Sequence, residues 1–200
     1  MFKRVTLLSL LSLVMMGLVS CGEPAPQPAA QSTVAAAPKK EEPATPVYDI
    51  TKDNITDHAD WTSKSVGILG ARIGDVTTKV QDKFGKMDNT RTLAEEYLTV
   101  YQNNGIFVYT HKLTGKMRKF ELYQTFSKQI VDPKFKKLLD SGDLKYMREA
   151  FGQEEKTEEN IEDPASPGTE YAYDAKGFRF VQYKVGKGTL NALRFSEIKK

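Results

Sequence analysis

The part of the sequence that decides the fold runs from residue 97 to residue 126 and reads YLTVYQNNGIFVYTHKLTGKMRKFELYQTF. Apolar and polar residues alternate in three runs, 97–101, 106–112 and 117–126, as they do in half-buried β-strands. Turn-forming residues separate the runs, first Asn103-Asn104-Gly105 and then Leu113-Thr114-Gly115-Lys116. The stretch therefore predicts three consecutive antiparallel strands.

A helix is predicted directly before these strands. Apolar residues recur at the spacing of one helical face at Val76, Val80 and Phe84. Asp75 can cap the amino-terminal end of such a helix, and Gly85 can end it. The predicted unit over residues 66–126 is thus one helix followed by three strands.

The second half of the chain, residues 141–200, repeats this order of elements. Gly142-Asp143 precedes a helical pattern with Leu144, Met147 and Phe151 on one face, and Gly152 follows it. Three strand-like runs come next, at 171–173, 178–183 and 190–198.

Specific positions in the two halves correspond. Phe84-Gly85 matches Phe151-Gly152, and the interval from Tyr101 to Gly105 equals that from Tyr173 to Gly177. Between the halves, over residues 127–140, Asp132-Pro133 predicts the start of a short helix that links them. We therefore expect an α+β fold made of a tandem αβββ repeat.

This arrangement resembles the BLIP-like architecture, which occurs in β-lactamase inhibitor proteins and, as one unit, in small outer-membrane lipoproteins of the BamE/SmpA type. The matching residues are Ile73-Gly74-Asp75, Val80, Phe84-Gly85, and the meander around Tyr101 and Gly105. The resemblance covers roughly residues 66 to 198. It implies antiparallel meander sheets with helices packed on one face, and action through protein–protein contact.

The amino terminus, residues 1–20, has the pattern of a lipoprotein signal peptide. Lys3 and Arg4 precede an apolar run over 5–19, which is short for a membrane span. Leu18-Val19-Ser20-Cys21 resembles a bacterial lipobox, and this resemblance implies cleavage before Cys21 and attachment of diacylglycerol and palmitate-type chains to it. A plain signal peptide with a chance cysteine and an uncleaved anchor are the alternatives.

The residues that follow Cys21 predict a membrane tether. Gly22 in place of Asp resembles the signal for sorting to the bacterial outer membrane, and either face of that membrane fits the sequence. Residues 22–46 are rich in Pro, Ala, Gln and Thr, a composition that favours disorder. The predicted segments are therefore 21–47, the lipidated cysteine with its tether, and 48–65, a lead-in to the globular part.

Composition excludes several classes of function. The chain has 200 residues and a net charge of +3, and removal of Lys3 and Arg4 leaves 27 basic residues against 26 acidic ones. Such a balance predicts no nucleic-acid partner. Cys21 is the sole cysteine and His58 and His111 are the only histidines, so we expect no metal site, no cofactor and no catalytic residues.

Four weaker patterns have ordinary structural interpretations. His111, a candidate general base, fits a half-exposed strand residue, and His58, a candidate metal ligand beside Asp57 and Asp60, fits a polar surface turn. Gly67, Gly70 and Gly74 lack the spacing of a phosphate-binding loop. The acidic stretch 153–168 is interpreted as a solvated loop, with a cation or a basic protein as alternative ligands.

Aromatic residues give the best indication of function. They crowd the three strands quoted above, and a sheet backed by helices needs only one face for the core. The predicted partner-binding residues are Tyr97, Tyr101, Phe107, Tyr109 and Tyr123, with cross-strand packing as the alternative for each ring.

The sequence therefore predicts a lipid-anchored, non-enzymatic lipoprotein of the cell envelope. It would contact the membrane through lipidated Cys21 and bind or assemble a protein partner through its open sheet face. An inhibitor of an envelope or host hydrolase and a small-ligand-binding lipoprotein are the alternatives.

Overall fold

The computed structural model describes residues 47–57, 60–160 and 167–198. The predicted signal peptide 1–20, Cys21 with its tether up to residue 46, and His58 lie outside the described residues. The same is true of residues 161–166 in the acidic stretch.

Eleven strands and two α-helices make up the described part. The strands are β1 (Tyr48–Asp49), β2 (Val66–Ile68), β3 (Ala71–Arg72), β4 (Asn89–Thr92), β5 (Glu96–Tyr101), β6 (Ile106–His111), β7 (Met117–Tyr123), β8 (Lys156–Asn160), β9 (Gly168–Tyr173), β10 (Phe178–Val185) and β11 (Gly188–Ser196). The helices are α1 (Pro133–Ser141) and α2 (Leu144–Phe151).

One eight-stranded antiparallel sheet dominates the fold, in the order β4-β5-β6-β7-β11-β10-β9-β8. The small sheet β1-β2-β3 packs with the two helices against one face of it, and the main core fills the space between. The prediction of a mixed fold with few helices and antiparallel sheets is confirmed. A tandem αβββ repeat is not confirmed, since each half contributes four strands and the halves join in one sheet through β7 and β11.

In the large sheet, the sequence patterns missed the two edge strands, β4 and β8, and they also missed the three short strands of the small sheet. The sequences of β4 and β8, NTRT and KTEEN, contain no apolar residue, and the described side chains of both are exposed. Because alternation of apolar and polar residues marks only half-buried strands, edge strands exposed on both faces give no such signal. The prediction of a solvated loop is therefore wrong for residues 156–160.

The predicted α-helix over 76–84 is wrong. The segment instead forms two short 3-10 turns, Thr77–Lys79 and Gln81–Phe84. Its backbone pairs with the turn between β6 and β7, because Met117 N–H donates to Asp75 O and Thr77 N–H donates to Gly115 O. The first of these bonds occupies Asp75 O, the acceptor that an α-helix would need for the N–H of Lys79.

The predicted helices around Pro133 and Leu144 are both present. Asp132 caps α1 by accepting hydrogen bonds from the N–H groups of Lys134 and Phe135, and Asp143 caps α2 by accepting one from Lys145 N–H. The apolar side of α1 is buried in the core, as the sequence predicted.

The lead-in segment 48–65 contributes side chains to the hydrophobic core and does not only run along the surface before it. Trp61 is buried and lies edge-on to Phe135, Phe151 and Phe178 at centroid distances of 5.3–5.9 Å. The interpretation of this neighbourhood as a polar surface turn is therefore wrong for Trp61.

Candidate functional site

The face of the large sheet that points away from the helices holds a groove of about 950 Å³. We call this surface the open face; Phe107, Tyr109, Glu121 and Tyr123 lie on it. Strands β4 to β7 form most of the groove, and β10 and β11 complete it.

Aromatic rings form a row across the groove. Phe107 and Tyr123 lie on neighbouring strands with centroids 4.5 Å apart, and Tyr183 stacks beside Tyr123 at 6.1 Å. The ammonium group of Lys119 lies 3.7 Å from the centroid of Tyr109. Sequence analysis did not name Tyr183 as a partner-binding residue. Tyr183 lies an odd number of residues after the core residues Phe178 and Phe180, and since side chains alternate along a strand, it faces the opposite side of β10.

Two of the five predicted partner-binding residues lie elsewhere. Tyr101 is 2% exposed and packs against Phe84 in the core, at a centroid distance of 5.4 Å. Tyr97 is exposed but pairs with Thr110, whose side chain faces the core and contacts Thr77. The structure thus brings Phe107, Tyr109 and Tyr123 together and separates Tyr97 and Tyr101 from them.

A network of buried charges lies beside this row of rings. Arg194 Nε donates to Glu121 Oε1 at 2.6 Å, its Nη1 donates to Glu170, and its Nη2 donates to Tyr183 Oη at 2.9 Å. Tyr123 Oη donates to Glu121 Oε2 at 2.8 Å. Each buried charge therefore has an opposite charge and further hydrogen bonds, which offset the loss of hydration.

The network continues towards the edge strand β8. Arg179 Nη1 donates to Glu170 at 2.8 Å and to Glu158 at 2.9 Å, and its other nitrogens reach Asp174. Lys156 lies 3.0 Å from Glu158 and 3.1 Å from Asp174. The contacts thus connect side chains of five strands, β7 to β11, along the floor of the open face.

The environment fixes the protonation of the groove tyrosines. Burial, reinforced by Glu121, raises the pKa of Tyr123 and Tyr109 far above the ordinary value and raises that of Tyr183 to about 12. Burial alone would lower the pKa of Arg194, but Glu121 and its other partners raise it. The groove therefore presents neutral phenols and a permanently charged arginine at physiological pH.

The rim of the groove combines apolar and balanced charged side chains. Leu93 and Val185 are exposed large apolar residues at opposite ends of it. Over the whole groove, from rim to floor, the charged residues are Asp88, Glu96 and Glu121 against Arg91, Lys119 and Arg194. Because the charges balance, the groove favours a partner of low net charge with apolar and hydrogen-bonding groups.

The remaining sequence candidates have structural partners. His111 Nδ1 accepts a hydrogen bond from Thr114 N–H at 3.3 Å within the β6–β7 turn. In the acidic stretch, Glu154 accepts from Arg148, and Glu155 accepts from Ala175 N–H at 2.9 Å.

Two further observations concern metals and membranes. Within residues 47–57, 60–160 and 167–198 there is no group of three or more His, Cys, Asp or Glu side chains placed to hold a metal ion. Neither helix in this part of the chain is long and apolar enough to span a bilayer.

Comparison with known proteins found no matching family model, no matching curated protein and no matching solved structure.

Proposed function

We propose that this protein is a lipid-anchored, non-enzymatic lipoprotein of the bacterial outer membrane that binds a protein partner through its open face. The observation that carries the binding part is the groove itself, in which aromatic rings stand beside a fully paired buried ionic network. Tyrosines with an apolar ring and a polar tip are enriched at protein interfaces, and rigid side chains lose little entropy on binding. The lipobox at Leu18-Val19-Ser20-Cys21 supports the anchor.

A tandem repeat related to the BLIP-like architecture is part of this proposal, with the 3-10 turns Thr77–Lys79 and Gln81–Phe84 in the place that α2 takes in the second half. Gly105 and Gly177 adopt nearly equal dihedrals, φ 66° and ψ 35° against φ 68° and ψ 31°. Gly85 and Gly152 also agree, with φ 88° and ψ −157° against φ 81° and ψ −166°. Because these positions were matched by sequence spacing alone, their equal backbone conformations support a duplication.

The binding proposal is tested by photo-crosslinking in cells of the native host. A photoreactive phenylalanine analogue at Phe107 should capture a protein partner, and the same analogue at Tyr97, on the other face, should not. The double variant Phe107→Ala, Tyr123→Ala should lose a partner captured from a rim position such as Leu93. Capture that is equal from both faces, or that survives the double variant, would refute the open face as the binding surface.

The anchor is tested separately. Mass spectrometry of the protein from its native host should find acyl chains on Cys21, and Cys21→Ser should release the protein from the membrane fraction. An unmodified Cys21 in membrane-bound protein would overturn this part alone.

The volume of the groove favours a small ligand as the second candidate, since ligand sites commonly measure about 300–1,000 Å³.

If the partner is instead a hydrolase, the soluble domain should inhibit it saturably, and the double variant should not.

A further inference from the structure

A cluster of lysines lies on the helix side of the molecule, opposite the open face. Helix α1 buries Phe135, Leu138 and Leu139 in the core, and its outer side carries Lys134, Lys136 and Lys137. The 3-10 turn Gln124–Gln129, which packs on α1, adds the exposed Lys128. We call Lys128, Lys134, Lys136 and Lys137 the lysine face.

The lysine face has no ion-pair partner within the described part of the chain. None of its four lysines forms an ion pair there within 4.0 Å. The carboxylate of Asp132 is buried and is occupied as the cap of α1, and on α2 Glu149 lies beside Lys145 at 4.0 Å. Asp140 is the one exposed acidic residue of α1, and the adjoining segment 50–57 adds Lys52 against Asp53 and Asp57, so this side keeps an excess of positive charge.

Apolar and aromatic groups lie among these lysines. Val131, directly before α1, is 57% exposed, and the ammonium group of Lys137 lies 5.5 Å from the centroid of Tyr146. Lysine stems, a tyrosine and an exposed valine are the groups that settle at the headgroup level of a bilayer.

The lysine face lies where the amino-terminal segment enters the domain. Val131 N–H donates to Ile50 O at 2.9 Å, and Thr56 N–H donates to Asp132 Oδ2 at 3.0 Å. The first residues after position 47 are thereby joined to the start of α1. The described chain therefore begins beside the start of α1 and not beside the groove.

We propose that the lysine face rests on an anionic lipid surface and so turns the open face away from the bilayer. This inference rests on the proposed anchoring. Each lysine near an anionic leaflet is attracted to it, and the attraction fades within a Debye length. The lipid anchor keeps the domain close to the bilayer, and the lysine face orients it there. Neither interaction therefore has to hold the protein at the membrane alone.

The test uses the chain from Cys21 to Lys200, whose sole thiol is coupled to a maleimide lipid in vesicles. The vesicles contain phosphatidylcholine alone or phosphatidylcholine with phosphatidylglycerol. Amine-reactive labelling, read by mass spectrometry, should fall about threefold at the lysine face on the anionic vesicles and recover at about 1 M salt. Labelling of Lys79, Lys86, Lys112 and Lys116, on the other half of the domain, should stay unchanged.

A variant pair supplies the second measurement. Replacement of the four lysine-face residues by Gln should weaken salt-sensitive binding of the uncoupled chain to anionic vesicles, whereas replacement of Lys79, Lys86, Lys112 and Lys116 by Gln should not. Equal labelling on both kinds of vesicle, or equal effects of the two variants, would overturn the inference. Protection by soluble heparin or polyglutamate without protection on vesicles would overturn it as well, and would assign the face to a soluble polyanion.

Failure of this test is distinguishable from failure of the anchoring. The thiol coupling imposes an anchor whether or not the native protein carries one, so the labelling reports the lysine face alone. The native anchor is read from the mass of Cys21.

Discussion

Arg194 and Glu121 are paired residues on β11 and β7, and their side chains meet at 2.6 Å where the two halves of the large sheet join. The side chain of Arg194 is 9% exposed and that of Glu121 is 1% exposed. A slip of one residue between β7 and β11 would send one of these charges into the apolar core. The pair therefore fixes the register at the junction of the halves, in addition to forming the floor of the groove.

Replacement of Arg194 should destabilise the fold strongly. Arg194→Met leaves Glu121 and Glu170 buried without their shared cation, and loss of one partner of a buried pair typically costs about 3–5 kcal/mol. Urea unfolding followed by circular dichroism measures this loss.

Arg118→Met is the matched control for that measurement. Arg118 lies near Glu95, Glu96 and Glu197, and its side chain is 31% exposed, so its removal should change the free energy of unfolding by about 0–1 kcal/mol. Equal losses in the two variants would mean that the Arg194 network is as weak as a surface network.

The tyrosines of the groove predict a loss of stability at high pH. The pKa of Tyr183 is raised to about 12 by burial and by Glu121, and the pKa values of Tyr109 and Tyr123 are raised further, whereas an unfolded tyrosine titrates near about 10. The folded state thus holds these protons more tightly than the unfolded state. Their contribution is fully present below about pH 10 and is lost as the pH rises towards about 12 and beyond.

Two spectroscopic measurements check this pH dependence. The urea midpoint should stay level up to about pH 9 and fall above about pH 10, and tyrosinate absorbance from the buried rings should appear only together with unfolding. If all nine tyrosines ionised near about pH 10 while circular dichroism stayed native, the proposed burial of the groove rings would be wrong.

Sequence alternation predicted most strands, but it could not predict which strand faces match. Between Tyr101 and Ile106 the chain makes a short 3-10 turn, and these two residues pair directly, so Tyr101 shares the face of Ile106 and Val108. Phe107 and Tyr109 therefore point the other way. Register across a turn depends on turn geometry, which a list of apolar positions does not contain.

The ionic network could not be predicted for a different reason. Glu121 and Arg194 are 73 residues apart in the chain, and no spacing rule relates them. Glu121 stands between Phe120 and Leu122, and Arg194 stands between Leu193 and Phe195. In such an alternating pattern a charge is equally well interpreted as a solvated residue. Only the pairing of β7 with β11 brings them together.

Two glycines with nearly equal φ angles should respond differently to alanine. Gly115 and Gly177 have φ angles of 65° and 68°, in the left-handed region, where a side chain costs about 1–2 kcal/mol. A Cβ atom at Gly115 would meet nothing within 4 Å, whereas one at Gly177 would collide with Ser63 Oγ and lie 2.7 Å from Ser196 O.

Gly115→Ala should therefore show the backbone effect alone, and Gly177→Ala should lose about 1–3 kcal/mol more, measured by urea unfolding. The difference reports how closely the turn after β9 packs against the lead-in segment. Similar losses would mean that this segment moves aside without resistance.

Replacement of Trp61 tests whether the lead-in segment belongs to the core. Trp61 lies among four phenylalanine rings, and removal of a large buried aromatic side chain typically costs about 3–5 kcal/mol. Leu113→Ala, at a residue that is 92% exposed in the β6–β7 turn, should change stability by less than about 0.5 kcal/mol. Circular dichroism must follow both variants, because Trp61 is the only tryptophan. Trp61 packs directly on Phe135 of α1. If Trp61→Ala destabilised the protein as little as Leu113→Ala, the folded domain would begin after residue 65. The hydrogen bonds that join residues 50 and 56 to α1 would then not be part of the stable fold.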